Sequence, residues 1–210
     1  MIRVMLVEDD PVWQKGIRDL VEDEEDMTVV ATASTKQEAI ETFFQNEIDV
    51  LVLDINLSEN NLDGIEVALE LTDRIASLKI IMMTSLTREE VIVESFSAGA
   101  INYINKIHFK EIVGAIRTAY LNESSIHPSA AEVLRKEFLR LKREEDQQLL
   151  TPSEKEVLQR IYSGETQTEI EKSLFISKRT IKNHVNRILK KLGVKSSKEA
   201  ADLAKKKKMF

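Results

Sequence analysis

Five short apolar runs, each followed by a stretch of helical length, constrain this chain more than any other feature. The runs cover residues 2–7, 29–33, 50–53, 80–83 and 101–104, the last being the weakest. Runs this short and nearly all apolar suit strands buried on both faces. Amphipathic segments lie between them at 12–21, 35–44, 64–75, 88–98 and 110–121. Pro11 suits the start of the first, and Ser34 is expected to cap the second. Strands alternating with helices imply βαβ units and an α/β, doubly wound parallel sheet with right-handed crossovers.

Ligands of such sheets bind beyond the carboxyl ends of the strands. Glu8, Asp9 and Asp10 follow the first run, Asp54 the third, Thr84 and Ser85 the fourth, and Lys106 the fifth. Three or four carboxylates are thus expected to converge with one ammonium and one hydroxyl. Clustered carboxylates repel and call for a cation, and oxygen ligands suit Mg²⁺. Lys106 and Thr84 can then bind a tetrahedral anion, which is what phosphoryl transfer needs. Asp54 ends a central strand and is the expected nucleophile.

The C-terminal third differs in charge. Residues 1–120 carry 10 Lys and Arg against 23 Asp and Glu, a net of −13, whereas residues 150–210 carry 15 against 7, a net of +8. That asymmetry points to a polyanion partner; the alternative is a solvated Lys-rich tail, since Lys205 to Lys208 supply half of the surplus. There are no cysteines, which excludes disulfides and Cys-based zinc sites. No stretch approaches the ~20 apolar residues of a membrane span, so a soluble, cytoplasmic protein without a membrane partner is expected.

Residues 122–127 form a polar linker, and Pro128 opens a helix whose apolar stripe is Val133, Leu134, Phe138 and Leu141. Thr151, Pro152 and Glu154 spell a capping box at the next helix. From there the chain is all-α, with Leu158, Ile161, Ile170, Leu174, Ile181, Val185, Ile188 and Leu192 as the expected core. Thr166 is placed to cap residues 167–174, Phe175 and Ile176 make an apolar turn, and Ser177 is placed to cap a helix that Gly193 stops. That second helix buries Ile181, Val185, Ile188 and Leu192 on one face and presents Lys182, Asn183, Asn186 and Lys190 on another. Lys and Asn can donate to phosphates and base edges in the major groove.

VMLVEDD, VLVLDIN, IIMMTS and AGAINYINK resemble the receiver domain of two-component response regulators over residues 1–121. The resemblance implies a flavodoxin-like five-stranded fold with strand order 2-1-3-4-5. It implies that Asp54 takes phosphate from a sensor histidine kinase, with Glu8 and Asp9 as the acidic pair. Mg²⁺ would be held by Asp9, Asp54 and the carbonyl of Asn56. Lys106 and Thr84 would engage the phosphoryl group beside Ser85, and Tyr103 would follow inward. LTPSEKEVL and GETQTEIEKSLFISKRTIKNHVNRILKKLGV resemble the LuxR-type helix-turn-helix of the NarL/FixJ subfamily. This implies that Lys182, Asn183 and Asn186 face bases, while Thr166, Ser177, Lys178 and Thr180 contact the backbone. The architecture implied is a receiver at 1–121, a linker with helix at 122–146 and a helix-turn-helix domain at 147–210. Such a protein is a transcription regulator rather than an enzyme. Its implied partners are DNA, the kinase, a second copy when phosphorylated and RNA polymerase.

Four departures stand out. Asp63-Gly64 arrives about two residues late after Asp54, so the loop over residues 56–62 is longer than usual. Lys106 is followed by Ile107 rather than proline, which favours a trans peptide. Ser153 replaces the usual arginine, and Glu171 stands where a small residue is usual, near the helix–helix contact or its rim. Two rivals follow from the residues. An aspartyl phosphatase would carry Asp two residues after its nucleophile, and here Asn56 stands there. The set formed by Asp9, Asp54, Thr84 and Lys106 argues against a receiver that no longer takes phosphate, and the altered loop over residues 56–62 keeps that rival open.

Overall fold

A computed structural model of the chain describes residues 1–58, 62–123 and 126–210. Residues 59–61 of the long loop and 124–125 of the linker lie outside the described residues. The chain divides into two compact units, Met1–Lys136 and Glu137–Phe210.

In the first unit five parallel strands, β1 (Ile2–Val7), β2 (Met27–Ala33), β3 (Val50–Leu53), β4 (Ile80–Thr84) and β5 (Ala100–Asn105), pair in the order β2-β1-β3-β4-β5. The helices are α1 (Pro11–Glu22), α2 (Lys36–Gln45), α3 (Asp63–Arg74), α4 (Glu89–Ser97) and α5 (Ile112–Tyr120), with a 3-10 turn over Lys106–Glu111. The period-2 alternation of the strands sorts their side chains into two cores. Val4, Leu6, Val52, Ile81 and Met83 pack with Ile17 of α1 and Ile112 and Ile116 of α5. Met5, Val7, Leu51, Leu53 and Met82 pack with Phe43 of α2, Leu71 of α3 and Val91 of α4.

The cap of α2 is one residue later than expected. Thr35, not Ser34, accepts the Glu38 N–H, at 3.2 Å, and Glu38 reaches back to the Ser34 N–H at 2.7 Å. Either residue can cap; the returning carboxylate selects the register. Asp10 also departs from expectation. It caps α1 through the Val12 N–H at 2.8 Å rather than joining the acidic group. The peptide bonds among the described residues are all trans.

Helix α6 (Pro128–Gln148) crosses the boundary between the units. Its Ala130 and Val133 are buried in the core of the first unit, so the start of the helix is not a solvated connector. Of the expected stripe, Leu134 is half-buried, whereas Phe138 and Leu141 are exposed.

The second unit contains α7 (Pro152–Tyr162), α8 (Gln167–Leu174), α9 (Lys178–Leu192) and α10 (Ser197–Lys206). Thr151 and Glu154 form the expected capping box. Glu154 is buried and meets Lys191 at 2.6 Å. Burial pushes its carboxyl up, but the Lys191 ammonium and the Thr151 N–H outweigh that and hold it below the usual carboxylate range. The lysine-rich end is not a solvated tail. Ala200, Ala201 and Ala204 of α10 are buried against Leu150, Leu158 and Ile188, and Lys207 meets Asp146 at 2.7 Å. Val157, Ile170 and Ile181 form a second small core, with Ile161, Leu174 and Val185 packed against it. Among the described residues no helix is long and apolar enough to cross a membrane.

Candidate functional site

The carboxyl ends of β1, β3 and β5 bring Glu8, Asp54 and Lys106 together. All three are nearly inaccessible to solvent. Lys106 Nζ donates to Asp54 Oδ2 at 2.7 Å and to Glu8 Oε1 at 2.8 Å. Glu8 Oε2 is equally close to that ammonium, at 2.7 Å, but the geometry is that of an ion pair; it accepts no hydrogen bond and is buried. Burial is the main reason that the Glu8 carboxyl is pushed up to about 7, with the Asp54 charge adding to it and Lys106 opposing it. Burial also pushes the Lys106 ammonium down, but its hydrogen bonds to Asp54 and Glu8 win and hold it above the usual lysine value. Asp9 is exposed at the mouth, and oxygens of Glu8, Asp9 and Asp54 all lie within 4.8 Å of one another. Asn56 is half-buried and its N–H lies 3.4 Å from Asp54 Oδ1.

Gly64 fixes the back of this pocket. A Cβ there would lie 2.0 Å from the Asp54 carbonyl oxygen, so only glycine lets α3 begin this close to the end of β3. Thr84 is buried at the end of β4, between β3 and β5, whereas Ser85 is exposed. The Leu86 N–H donates to Thr84 Oγ1 at 3.3 Å, and the Leu86 carbonyl accepts from Tyr103 Oη at 2.6 Å and from Asn105 Nδ2 at 3.3 Å. The Tyr103 ring is buried in this conformation. That burial, with the Asp54 charge, pushes its phenol up to about 12.

In the second unit, Thr166 caps α8 by accepting the Glu169 N–H at 3.4 Å, and Ser177 caps α9 by accepting the Thr180 N–H at 3.2 Å. Phe175 joins the two helices in the left-handed region, φ +52°, and is almost wholly exposed. Lys182, Asn183, Asn186 and Lys190 are exposed on one side of α9, while Ile181 and Ile188 are buried on the other. Lys178 is exposed at its first turn, and Thr180 is half-buried.

Residues 4–117 match the family described as response regulator receiver domain, and residues 148–204 match the LuxR family of bacterial regulatory proteins. The chain belongs to the two-component response regulators of the LuxR type. It is 32% identical over 208 residues to the uncharacterized transcriptional regulatory protein YxjL of Bacillus subtilis, covering 97% of this chain and 94% of that one. It is likewise 32% identical over 206 residues to the DNA-binding transcriptional activator DevR/DosR of Mycobacterium tuberculosis, with the same coverage. The crystal structure of the response regulator ChrA, from a heme-sensing two-component system, superposes with a TM-score of 0.52 at 28% identity, covering 100% of this chain and 98% of that one.

The structure of this response regulator adds residues that sequence reasoning missed. Lys106 Nζ sits 5.3 Å from the ring centroid of Trp13, which meets Phe109 edge-on at 5.8 Å. Trp13 follows the α1 cap by three residues, a spacing visible in the sequence, but stacking on Lys106 leaves no local signal. Gln14 Nε2 donates to the Glu8 carbonyl at 3.1 Å and steadies the acidic turn. Arg179 is exposed and lies three and four residues before Lys182 and Asn183, which places it on their face of α9; the same spacing rule would have found it. Glu171 is half-buried and accepts the Lys178 N–H at 3.3 Å. It therefore sits at the start of α9, where a negative charge suits the helix dipole.

Proposed function

We propose that Asp54 is the phosphoacceptor of this response regulator and that its modification controls pairing of two chains and their binding to DNA. The observation that carries this is the buried Lys106 ammonium held between Asp54 and Glu8, with the exposed Asp9 carboxylate beside them. The donor is a phosphohistidine on a sensor kinase. A carboxylate oxygen of Asp54 forms a bond to phosphorus as the phosphorus–nitrogen bond breaks, and the electron pair returns to the departing imidazole. Lys106 neutralises charge on the transferred group and orients it. Asp9, Asp54 and the Asn56 carbonyl, with Glu8 beside them, are the residues that would hold Mg²⁺, whose charge would offset that of the phosphoryl oxygens.

Thr84 supplies the readout. Turning its hydroxyl toward a phosphoryl oxygen would weaken the bond from the Leu86 N–H. Leu86 also carries the acceptor for Tyr103 and Asn105, so a shift there alters the segment between β4 and α4, with Ser85 at its exposed edge. Residues 1–121 would be the switch, 122–146 the linker and 147–210 the reading domain. Lys182, Asn183, Asn186 and Lys190 would enter the major groove, with Thr166, Ser177, Lys178 and Thr180 on phosphates. Two such helices would meet half-sites about 34–36 Å apart, with RNA polymerase as the downstream partner. This regulator would act in the cytoplasm and not as an enzyme.

Incubating the full chain with Mg²⁺ and a small phosphodonor should add the mass of one phosphoryl group to wild type and none to Asp54→Ala. Absence of that gain on wild type would leave a receiver that takes no phosphate.

The Glu8 carboxyl, raised from 4.5 to about 7, makes a pH prediction. A raised acid holds its proton to higher pH, and protons compete with metal for the same oxygens. Lowering the pH from 8 to 6 takes the group from mostly ionised to mostly protonated, so Mg²⁺ binding should weaken about tenfold. Trp13, the only tryptophan in the sequence, provides the fluorescence signal. Glu8→Gln should flatten the dependence; an unchanged wild-type affinity across this range would contradict it.

A further inference from the structure

The sequence holds three histidines, and two of them converge away from the acidic pocket. His108 and Glu111 lie in the 3-10 turn after β5, and His127 stands just before α6. The two imidazole centroids are 5.1 Å apart. His127 Nε2 lies 3.3 Å from Glu111 Oε2, and His108 Nδ1 lies 3.6 Å from Glu111 Oε1. One ligand atom from each of the three residues falls within 4.8 Å of the others. Tetrahedral coordination with bonds of about 2.0–2.1 Å asks for donors about 3.4 Å apart. The His127 distance to Glu111 Oε2 meets that, and the exposed His108 ring, now nearest Oε1, can turn to close the remaining gap.

His127 is also held as a ligand would be. Its Nδ1 accepts from the Ser129 backbone N–H at 3.3 Å and lies 2.7 Å from Ser129 Oγ. Its own N–H donates to Asn102 Oδ1 at 3.0 Å, and Asn102 is buried. Nδ1 is thus an acceptor here, and Nε2–H faces the Glu111 carboxylate; an ion at Nε2 would displace that proton to Nδ1, where Ser129 Oγ can accept it. An outer acceptor for the Nδ1 proton is what supports a histidine that binds metal through Nε2.

We propose that His108, Glu111 and His127 form a second divalent-cation site, selective for a borderline-soft ion such as Zn²⁺, that ties the start of α6 to the segment following Lys106. Imidazole nitrogens favour Zn²⁺ and its neighbours, whereas the oxygen-only group at Asp54 favours Mg²⁺. The two sites would therefore sort ions by ligand chemistry, with water completing the shell at the three-residue site.

The test uses the full chain, stripped with chelator and held in saturating Mg²⁺, titrated with zinc chloride by calorimetry and by equilibrium dialysis. One Zn²⁺ per chain is expected, together with a Zn²⁺-dependent rise in the melting temperature. His127→Gln and the exposed-site variant His108→Gln should each weaken binding at least tenfold and remove the melting shift. Ser129→Ala should weaken it about tenfold through the tautomer. His184→Gln and Asp9→Asn should bind Zn²⁺ as wild type does. Equal Zn²⁺ binding by wild type and the His108→Gln/His127→Gln double variant would overturn the site. So would loss of binding in Asp9→Asn alone, which would place the ion at the acidic pocket.

Discussion

Lys106→Met is expected to destabilise the N-terminal unit by about 3–5 kcal/mol and to abolish phosphoryl uptake. The ammonium is buried and lies 2.7 Å from Asp54 and from Glu8. Methionine keeps most of the stem volume, so the loss is electrostatic rather than a cavity. Two carboxylates would then face each other without a counter-charge, and one would have to take a proton. Urea unfolding at pH 7 reads the loss. The penalty should shrink as the pH falls and both carboxyls become neutral, and Mg²⁺ should offset part of it. Asp54→Asn in the same chain should recover much of the stability but none of the phosphorylation, because the two changes share one pair. A loss below 1 kcal/mol for Lys106→Met would show that the ion pair does not hold this pocket together.

Lys182→Ala and Asn183→Ala should each weaken binding to a selected specific duplex by about 1–3 kcal/mol, tenfold or more. Both residues are exposed on the face of α9 opposite its buried isoleucines. Their effects should differ in kind. Losing a cation that neutralises a phosphate lowers the salt slope by about 0.9; Lys182→Ala, which removes a cation from the groove, should flatten the salt dependence by less than that. Asn183→Ala should leave the slope alone and reduce the ratio of specific to non-specific affinity. Lys198→Ala, on α10, should do neither. Unchanged specific affinity in both variants would mean that another face of the domain reads DNA.

The strand ends were the most legible part of the sequence. A parallel sheet buries its strands on both faces, so the first polar residue after each apolar run marks a functional edge; Glu8, Asp54 and Lys106 meet as that rule requires, and Thr84 is buried at the end of β4. What it missed depends on partners without sequence periodicity. The Leu86 carbonyl accepts from Tyr103 and Asn105 through backbone, and Trp13 reaches Lys106 across the pocket. Asp10 looked like a third acid of the same turn but spends its oxygen on the α1 cap. Helix α10 was hidden for a different reason. Its buried face is alanine, whose pattern is faint beside a run of four lysines, so a core helix resembled a tail. Arg179, by contrast, was within reach, because helical spacing alone puts it beside Lys182.

The link between the two ends of the chain is the central claim, and DNA affinity with and without phosphorylation tests it most directly. Full-length wild type and Asp54→Ala are each titrated onto the selected duplex, before and after treatment with phosphodonor and Mg²⁺, with the degree of modification read by mass. Coupling between two sites is commonly worth about 1–3 kcal/mol, or about 5–150-fold. Phosphorylated wild type should bind at least fivefold tighter than unmodified protein, while Asp54→Ala binds alike under both conditions. Full phosphorylation of wild type with no change in affinity, or an equal rise in Asp54→Ala, would contradict control of the helix-turn-helix domain by Asp54.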